Sequence, residues 1–297
     1  MTRRIKTIAL TLTEKCNLNC VYCYEHTKDY TVMSFDTAKE FIKKHFVDSD
    51  AYDEVEINFH GGEPFLEFDL LREISEWVWQ QQWPKPYHMF ATTNGTVITN
   101  FIKDWLMKNR SRFIVGLSLD GTRAMHDINR SSSYSLIDRE FFLQNWPYQG
   151  VKMTISPLTV FNLAEGIEEL HNFGFIVNAN LALGVDWNQS ALLDTYTTQL
   201  KVLADFYLNH PDIVPCSLFK MNLAMISNDN TDVLFKWCGT GVHMVAISPE
   251  GNEYPCHAFM PSVNFGNSTN VNFWDILKES DFQDIRCKNC IIKHVME

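Results

Sequence analysis

No stretch of the 297-residue chain comes near the roughly 18 consecutive apolar residues that a membrane span requires. No secretory signal opens it either: the apolar run IALTL behind Arg3 and Arg4 is short and is followed at once by Glu14 and Lys15. Basic residues are the minority, 25 against 36 acidic ones, giving a net charge of -11. That argues against a general nucleic-acid binder, which needs a basic footprint. There is no internal repeat and no low-complexity segment, and no G-x-G-x-x-G follows the first strand-like run, so a flat dinucleotide-binding sheet is not expected. These absences point to a cytoplasmic protein with neither a membrane nor a nucleic acid as partner.

What remains is an ordinary globular composition, 45% hydrophobic and 21% charged, able to bury a sizeable core. Runs rich in β-branched and apolar residues recur at 5–12, 55–60, 87–92, 112–119, 151–156 and 176–183. Each is followed by a helical pattern, at 34–46, 70–81, 99–109, near 138–146, at 162–174 and at 190–210, with Ser34 as an N-cap and Gly174 as a C-terminal stop. Six strand–helix alternations imply a parallel sheet with right-handed crossovers. The expected fold is α/β, a partial (β/α)6 barrel over residues 1–210. A small β-hairpin/helix domain is expected over 211–297, where proline, cysteine, glycine and asparagine become frequent. The chemistry-bearing residues fall just past the strands, at the C-terminal face where barrel active sites form.

Eight cysteines in a cytosolic chain read as metal ligands or thiols rather than disulfides. Cys16, Cys20 and Cys23 form a C-x₃-C-x₂-C array in EKCNLNCVYCYE. A structural zinc site or a complete cubane normally takes four protein ligands, so three thiols suggest a metal left open to something else. His26 supplies a fourth ligand on the zinc reading, and a small chelating molecule supplies it on the cluster reading.

With Tyr22 before the third cysteine, the array resembles that of the radical S-adenosylmethionine (SAM) enzymes. The following loops match in order: GGEP (61–64), TTNGT (92–96), SLDG (118–121) and HDINR (126–130). The resemblance implies a 4Fe–4S cluster on Cys16, Cys20 and Cys23, with the open iron chelated by the amino and carboxylate groups of SAM. Reductive cleavage then gives a 5′-deoxyadenosyl radical that takes a hydrogen atom from substrate. It also implies that Gly61 and Gly62 allow close backbone approach, that Glu63 accepts a bond from the methionine ammonium, and that Pro64 stiffens the turn. Asn94 or Ser118 would bond the ribose, Asp120 belongs to the same SAM-facing set, Arg130 would pair with the carboxylate, and Tyr22 would pack beside the adenine. Singly, each of these stretches reads as a turn; their order is what carries the resemblance.

Cys238 and Cys256, with seventeen residues between them around a hairpin turning at 249–252, and Cys287 and Cys290 in CKNC complete the set. In a generic chain this would read as a zinc ribbon. Here it resembles the C-terminal SPASM and twitch extensions of radical SAM enzymes and implies a second, auxiliary 4Fe–4S cluster on these four thiols. Such relatives mostly modify peptides, so the expected substrate is a precursor peptide, matured by crosslinking or epimerisation, with a flavodoxin- or ferredoxin-type protein as low-potential electron donor. In sulfatase-maturing relatives an aspartate follows the cysteine of YPC and serves as base. Here His257 stands in that place, which makes sulfatase maturation unexpected but offers another proton acceptor. Cys216, in VPCSLF, is a candidate hydrogen-atom donor or a buried small hydrophobe. Two other readings stay open: a dehydrogenase of a small polar metabolite, such as an aminocyclitol, and a zinc-binding interaction protein.

Overall fold

The structure is a computed structural model that describes residues 4–25, 28, 30–47, 52–187, 189–219 and 243–263. Strand β1 (Ile5–Thr13) is followed by helix α1 (Phe35–Val47), β2 (Glu54–Gly61) by α2 (Phe68–Gln80), and β3 (Tyr87–Thr93) by α3 (Asn100–Asn109). Then come β4 (Phe113–Leu117), α4 (Arg123–Asn129), α5 (Arg139–Asn145), β5 (Val151–Ile155), α6 (Leu163–Phe173), β6 (Val177–Leu181) and α7 (Ser190–Asn209). The six expected strands and their helices are all present, and the caps behave as read. Thr37 N–H donates to Ser34 Oγ at 3.0 Å, and Gly174 closes α6 with a left-handed φ of 108°. Helix α4 is an addition to the sequence reading; its seven residues, RAMHDIN, are too few to show a period.

Strands β1 to β4 pair in parallel in the order β4-β3-β2-β1, and β5 pairs in parallel with β6. A single parallel bridge between Ser118 and Lys152 carries the curvature from β4 to β5. Among the described residues no strand closes the sheet, so the barrel is partial. Each strand alternates. Ile8, Leu10 and Leu12, Val55, Ile57 and Phe59, and Met89 and Ala91 face the helices and merge with Ile42, Leu71, Ile74 and Leu106 into one core. The intervening residues face the concave interior.

The hairpin expected near 249–252 is present, with β7 (Met244–Ile247) antiparallel to β8 (Glu253–Tyr254). It does not stand apart from the barrel. Strand β7 pairs in parallel with β1, Thr7 opposite Met244 through Leu10 opposite Ile247, and so extends the barrel sheet past its first strand. Glu253 Oε1 fastens the hairpin to α1 by accepting from Lys44 Nζ and His45 Nε2, both at 2.8 Å. No described helix is long and apolar enough to cross a membrane.

The His45 hydrogen bond, together with Lys44 and against the cost of burial, holds the Glu253 carboxyl well below its ordinary value, at about 2. A depressed carboxyl stabilises the fold above its unfolded value of 4.5, and that contribution is lost as pH falls through the folded value. With partial exposure discounted, Glu253→Gln is expected to cost roughly 1–2 kcal/mol at neutral pH. Urea unfolding followed from pH 7 downward should show the gap to the parent narrowing below pH 4.5 and not above it.

Candidate functional site

The loop leaving β1 carries Cys16, Cys20 and Cys23, all free and partly exposed. Three neighbouring segments hold it in place. Glu63 N–H donates to Lys15 O at 2.9 Å and Val21 N–H to Asn129 O at 3.0 Å. Asn19 N–H donates to Ser131 Oγ at 3.0 Å, and the Asn17 side chain bonds Thr96 and Asn94 at 2.8 and 2.9 Å. Burial pushes all three thiols up, Cys20 to about 11 against the opposing pull of Arg130. Thiols that resist ionisation when bare suit a cationic centre that supplies the missing charge. No three His, Cys, Asp or Glu side chains among the described residues gather closely enough for a single ion. Three thiols on one pinned loop suit a cluster that takes three protein ligands and leaves its fourth position to a small chelator. His26, the fourth ligand a zinc site would need, lies outside the described residues.

The GGEP segment presses against the base of this loop. A Cβ on Gly61 would lie 2.3 Å from Thr13 O, and one on Gly62 2.5 Å from both Glu14 O and Lys15 O. The close approach that these glycines permit is thus to the chain entering the cysteine loop. Pro64 opens a short 3-10 turn capped by Glu63. The Glu63 carboxylate is buried: Oε1 accepts from Phe65 N–H at 3.1 Å and Thr93 Oγ1 at 2.8 Å, and Oε2 from Asn94 N–H at 2.7 Å. Burial raises it to about 7 in spite of these bonds. Oε2 retains room for one more donor. The Asn94 side chain is committed, donating to Asn17 Oδ1 and accepting from Thr96.

SLDG and HDINR meet at the fully buried Asp120. Its Oδ2 accepts from Tyr22 Oη at 2.6 Å and Asn129 Nδ2 at 3.1 Å and lies 2.9 Å from Arg130 Nε, while Oδ1 accepts from Thr154 N–H at 2.8 Å. Arg130 also sits 5.4 Å from the centre of the Tyr22 ring. The salt bridge between Arg130 and Asp120 is buried. His126 Nδ1 accepts from Asp120 N–H at 3.2 Å, so Nε2 carries the proton it donates to Ser133 Oγ at 3.0 Å. Ser118 is buried at the junction of β4 with β5.

Of the second cysteine group, Cys256 is described and buried; Cys238, Cys287 and Cys290 lie outside the described residues. His257 follows Cys256, with Nδ1 3.7 Å from its Sγ, and stacks on His60 at 4.2 Å between ring centres. Burial holds both imidazoles below their ordinary value, and Glu25, itself pushed up to about 7 by burial, pulls His257 back up. Cys216 is fully buried in the core, its N–H donating to Tyr207 Oη on α7 at 2.9 Å. That is the setting of a packed small hydrophobe.

The concave face holds residues that the motifs do not announce. Glu56, Asn58 and His60 alternate along β2, and Lys152 and Thr154 along β5, each opposite a core residue. Strands of a parallel sheet covered on both faces read as continuous apolar runs. A strict polar alternation in VEINFH and VKMTIS is therefore the signal that could have marked an interior open to a ligand.

Residues 10–197 match the Radical SAM superfamily, and residues 238–293 match an iron-sulfur cluster-binding domain, SPASM. The cysteine-type anaerobic sulfatase-maturating enzyme of Clostridium perfringens is 27% identical over 218 residues, 65% of this chain and 57% of that protein. The chain matches between 34% and 57% of the length of the first curated relatives. Native anSMEcpe with bound AdoMet and Kp18Cys peptide superposes with a TM-score of 0.71 at 20% identity, over 97% of this chain and 88% of that one. Streptococcus suis SuiB bound to precursor peptide SuiA gives 0.59 at 14% identity, over 99% and 67%. At these identities the structural likeness is one of fold.

Asp120→Asn removes the charge on which Tyr22, Arg130 and Asn129 converge. Breaking such a buried pair is expected to cost about 3–5 kcal/mol in urea unfolding. Iron uptake by the reconstituted variant should fall with it, because Tyr22 lies between two of the loop thiols.

Proposed function

The chain belongs to the radical SAM superfamily, and on that premise we propose that it is a peptide-modifying enzyme with two iron–sulfur clusters. Cys16, Cys20 and Cys23 would hold the cluster that binds SAM, and Cys256 with Cys238, Cys287 and Cys290 the auxiliary one. When bound, the first cluster and SAM supply a 5′-deoxyadenosyl radical, which abstracts hydrogen. The observation that carries the reading is the pinned loop: three reduced thiols fixed by GGEP, TTNG and HDINR at the edge of a polar barrel interior. Glu63 is the acceptor for the methionine ammonium, with a free lone pair on Oε2. Arg130, oriented by Asp120, faces the carboxylate. Of the two candidates for the ribose, Ser118 is favoured, since the Asn94 amide is spent on Asn17 and Thr96.

A peptide substrate is supported by the company the fold keeps, anSMEcpe with a bound peptide and SuiB with its precursor SuiA. Crosslinking or epimerisation of a ribosomal peptide is the reaction we favour, with electrons from a flavodoxin- or ferredoxin-type donor. His257, stacked on His60 beside Cys256, holds the place of proton acceptor. Cys216, packed in the core against Tyr207, favours a structural role over hydrogen-atom donation.

Anaerobic reconstitution is expected to give about eight irons per chain and, with dithionite and SAM, release of 5′-deoxyadenosine. The Cys16→Ala, Cys20→Ala, Cys23→Ala triple variant should keep about four irons and release none. Zinc without iron, together with intact SAM, would overturn the reading and leave a zinc-binding protein.

A further inference from the structure

Among the described residues, the barrel interior holds one ammonium, that of Lys152, with no carboxylate in salt-bridge reach. Lys152 projects from β5 and donates to Thr92 Oγ1 at 2.7 Å, with its ammonium 5.0 Å from the centre of the Phe90 ring. Among the described residues no carboxylate lies within 4.0 Å of Lys152 Nζ; the ion pairs of the fold are made elsewhere. Glu56, whose field reaches Lys152, is already committed. Its Oε2 pairs with His88 Nε2 at 3.0 Å and its Oε1 accepts from Asn58 Nδ2 at 3.2 Å. Burial pushes Glu56 up, yet His88 and Asn58 hold it below its ordinary value, so it stays an anion spent on His88. Burial likewise pulls Lys152 down. A partly buried ammonium with one hydroxyl and one ring in contact gains from an anion that pairs with it.

Two further polar atoms nearby are buried without a partner, Asn58 Oδ1 and His60 Nδ1. The bond to Glu56 fixes the Asn58 amide with its nitrogen toward the carboxylate and its oxygen away from it. Asn58 lies opposite Phe90 in the β2–β3 register, so it neighbours the ring beneath the Lys152 ammonium. His60 is two residues further along the same face, under His257. Native interiors rarely leave such groups unsatisfied, and a group of them on one concave face is the mark of a place that a polar ligand completes.

We propose that Lys152 is the specificity anchor for a carboxylate on the substrate, with Asn58 Oδ1 and His60 Nδ1 bonding its polar neighbours. The carboxylate comes from an aspartate or glutamate side chain close to the modified residue of a peptide, or from a small carboxylic acid. This rests on the proposed function, a peptide-modifying enzyme whose thiol loop lies at the edge of the polar barrel interior, and takes that interior as the place where substrate enters. A charge-assisted pair in a site shielded from water discriminates strongly between a carboxylate and its uncharged isostere.

The test uses the reconstituted full-length protein with SAM, and measures binding of N-acetyl-aspartate N-methylamide, its asparagine counterpart and succinate. Wild type is expected to bind the aspartate probe about 10- to 100-fold more tightly than the asparagine probe. Lys152→Met should bring the two together, and Lys152→Arg should keep most of the preference. Succinate binding more weakly than the aspartate probe identifies a peptide as the source of the carboxylate, and the reverse identifies a small acid. Either ranking supports the anchor. Dithionite-driven release of 5′-deoxyadenosine should survive in Lys152→Met, which separates failure of the anchor from failure of the radical reading. Urea unfolding of Lys152→Met should show little loss of stability, since the substitution removes a partly buried charge with no carboxylate in salt-bridge reach among the described residues. Equal binding of both probes by wild type, or an unchanged preference in Lys152→Met, would overturn the proposal. So would loss of SAM binding in that variant, which would assign Lys152 to the SAM carboxylate.

Discussion

One buried carboxylate holds the candidate site together. Asp120 has no exposure and receives Tyr22 from the cysteine loop, Asn129 and Arg130 from the end of α4, and the Thr154 amide from β5. The partners come from three places in the fold, the cysteine loop, the end of α4 and β5, so this one charge sets the distance between the thiol loop and the barrel wall. An unpaired carboxylate at this depth would be prohibitively unstable, and here both oxygens accept hydrogen bonds and Oδ2 faces Arg130. The surrounding network is uncharged or self-cancelling. His126 is neutral, held by burial at about 4, and bridges the Asp120 backbone to Ser133. Rigidity at this junction suits the proposed radical chemistry, which would need the reacting groups held in fixed positions.

The barrel interior follows a different logic. Near the site the polar groups satisfy one another; along the concave face of β2 and β5 they do not. Glu54, His88 and Glu56 form a closed charge group at the foot of the strands, with His88 raised by the Glu56 hydrogen bond against the effect of burial. Further along, Asn58, His60 and Lys152 retain unused bonding capacity. The contrast separates residues that hold the scaffold from residues that wait for a ligand.

Much of this was legible in the sequence. The strands and helices follow from apolar periodicity and from capping residues such as Ser34, Thr99 and Gly174, which act locally and are therefore visible locally. The cysteine spacing and the order of the loops pointed to the segments that the fold brings together around Cys16, Cys20 and Cys23. Three things were not visible. Helix α4 is too short to show a period. The glycines of GGEP face the Thr13–Lys15 backbone, a contact made across the sheet that no local rule predicts. The pairing of β7 with β1 joins strands from opposite ends of the chain, and the local hairpin signal says nothing about where the hairpin docks.

That last pairing bears on how the protein is made. Thr7 and Met244 are neighbours in the sheet yet are separated by more than two hundred residues of translation. At ribosomal rates of about 5–20 residues per second, the apolar edge of β1 waits roughly 10–50 s for the strand that will cover it. An uncovered edge of that kind is a template for mispairing. Slower translation or early chain release would therefore fall first on solubility, and high-level expression would draw on chaperones that shield nascent strands.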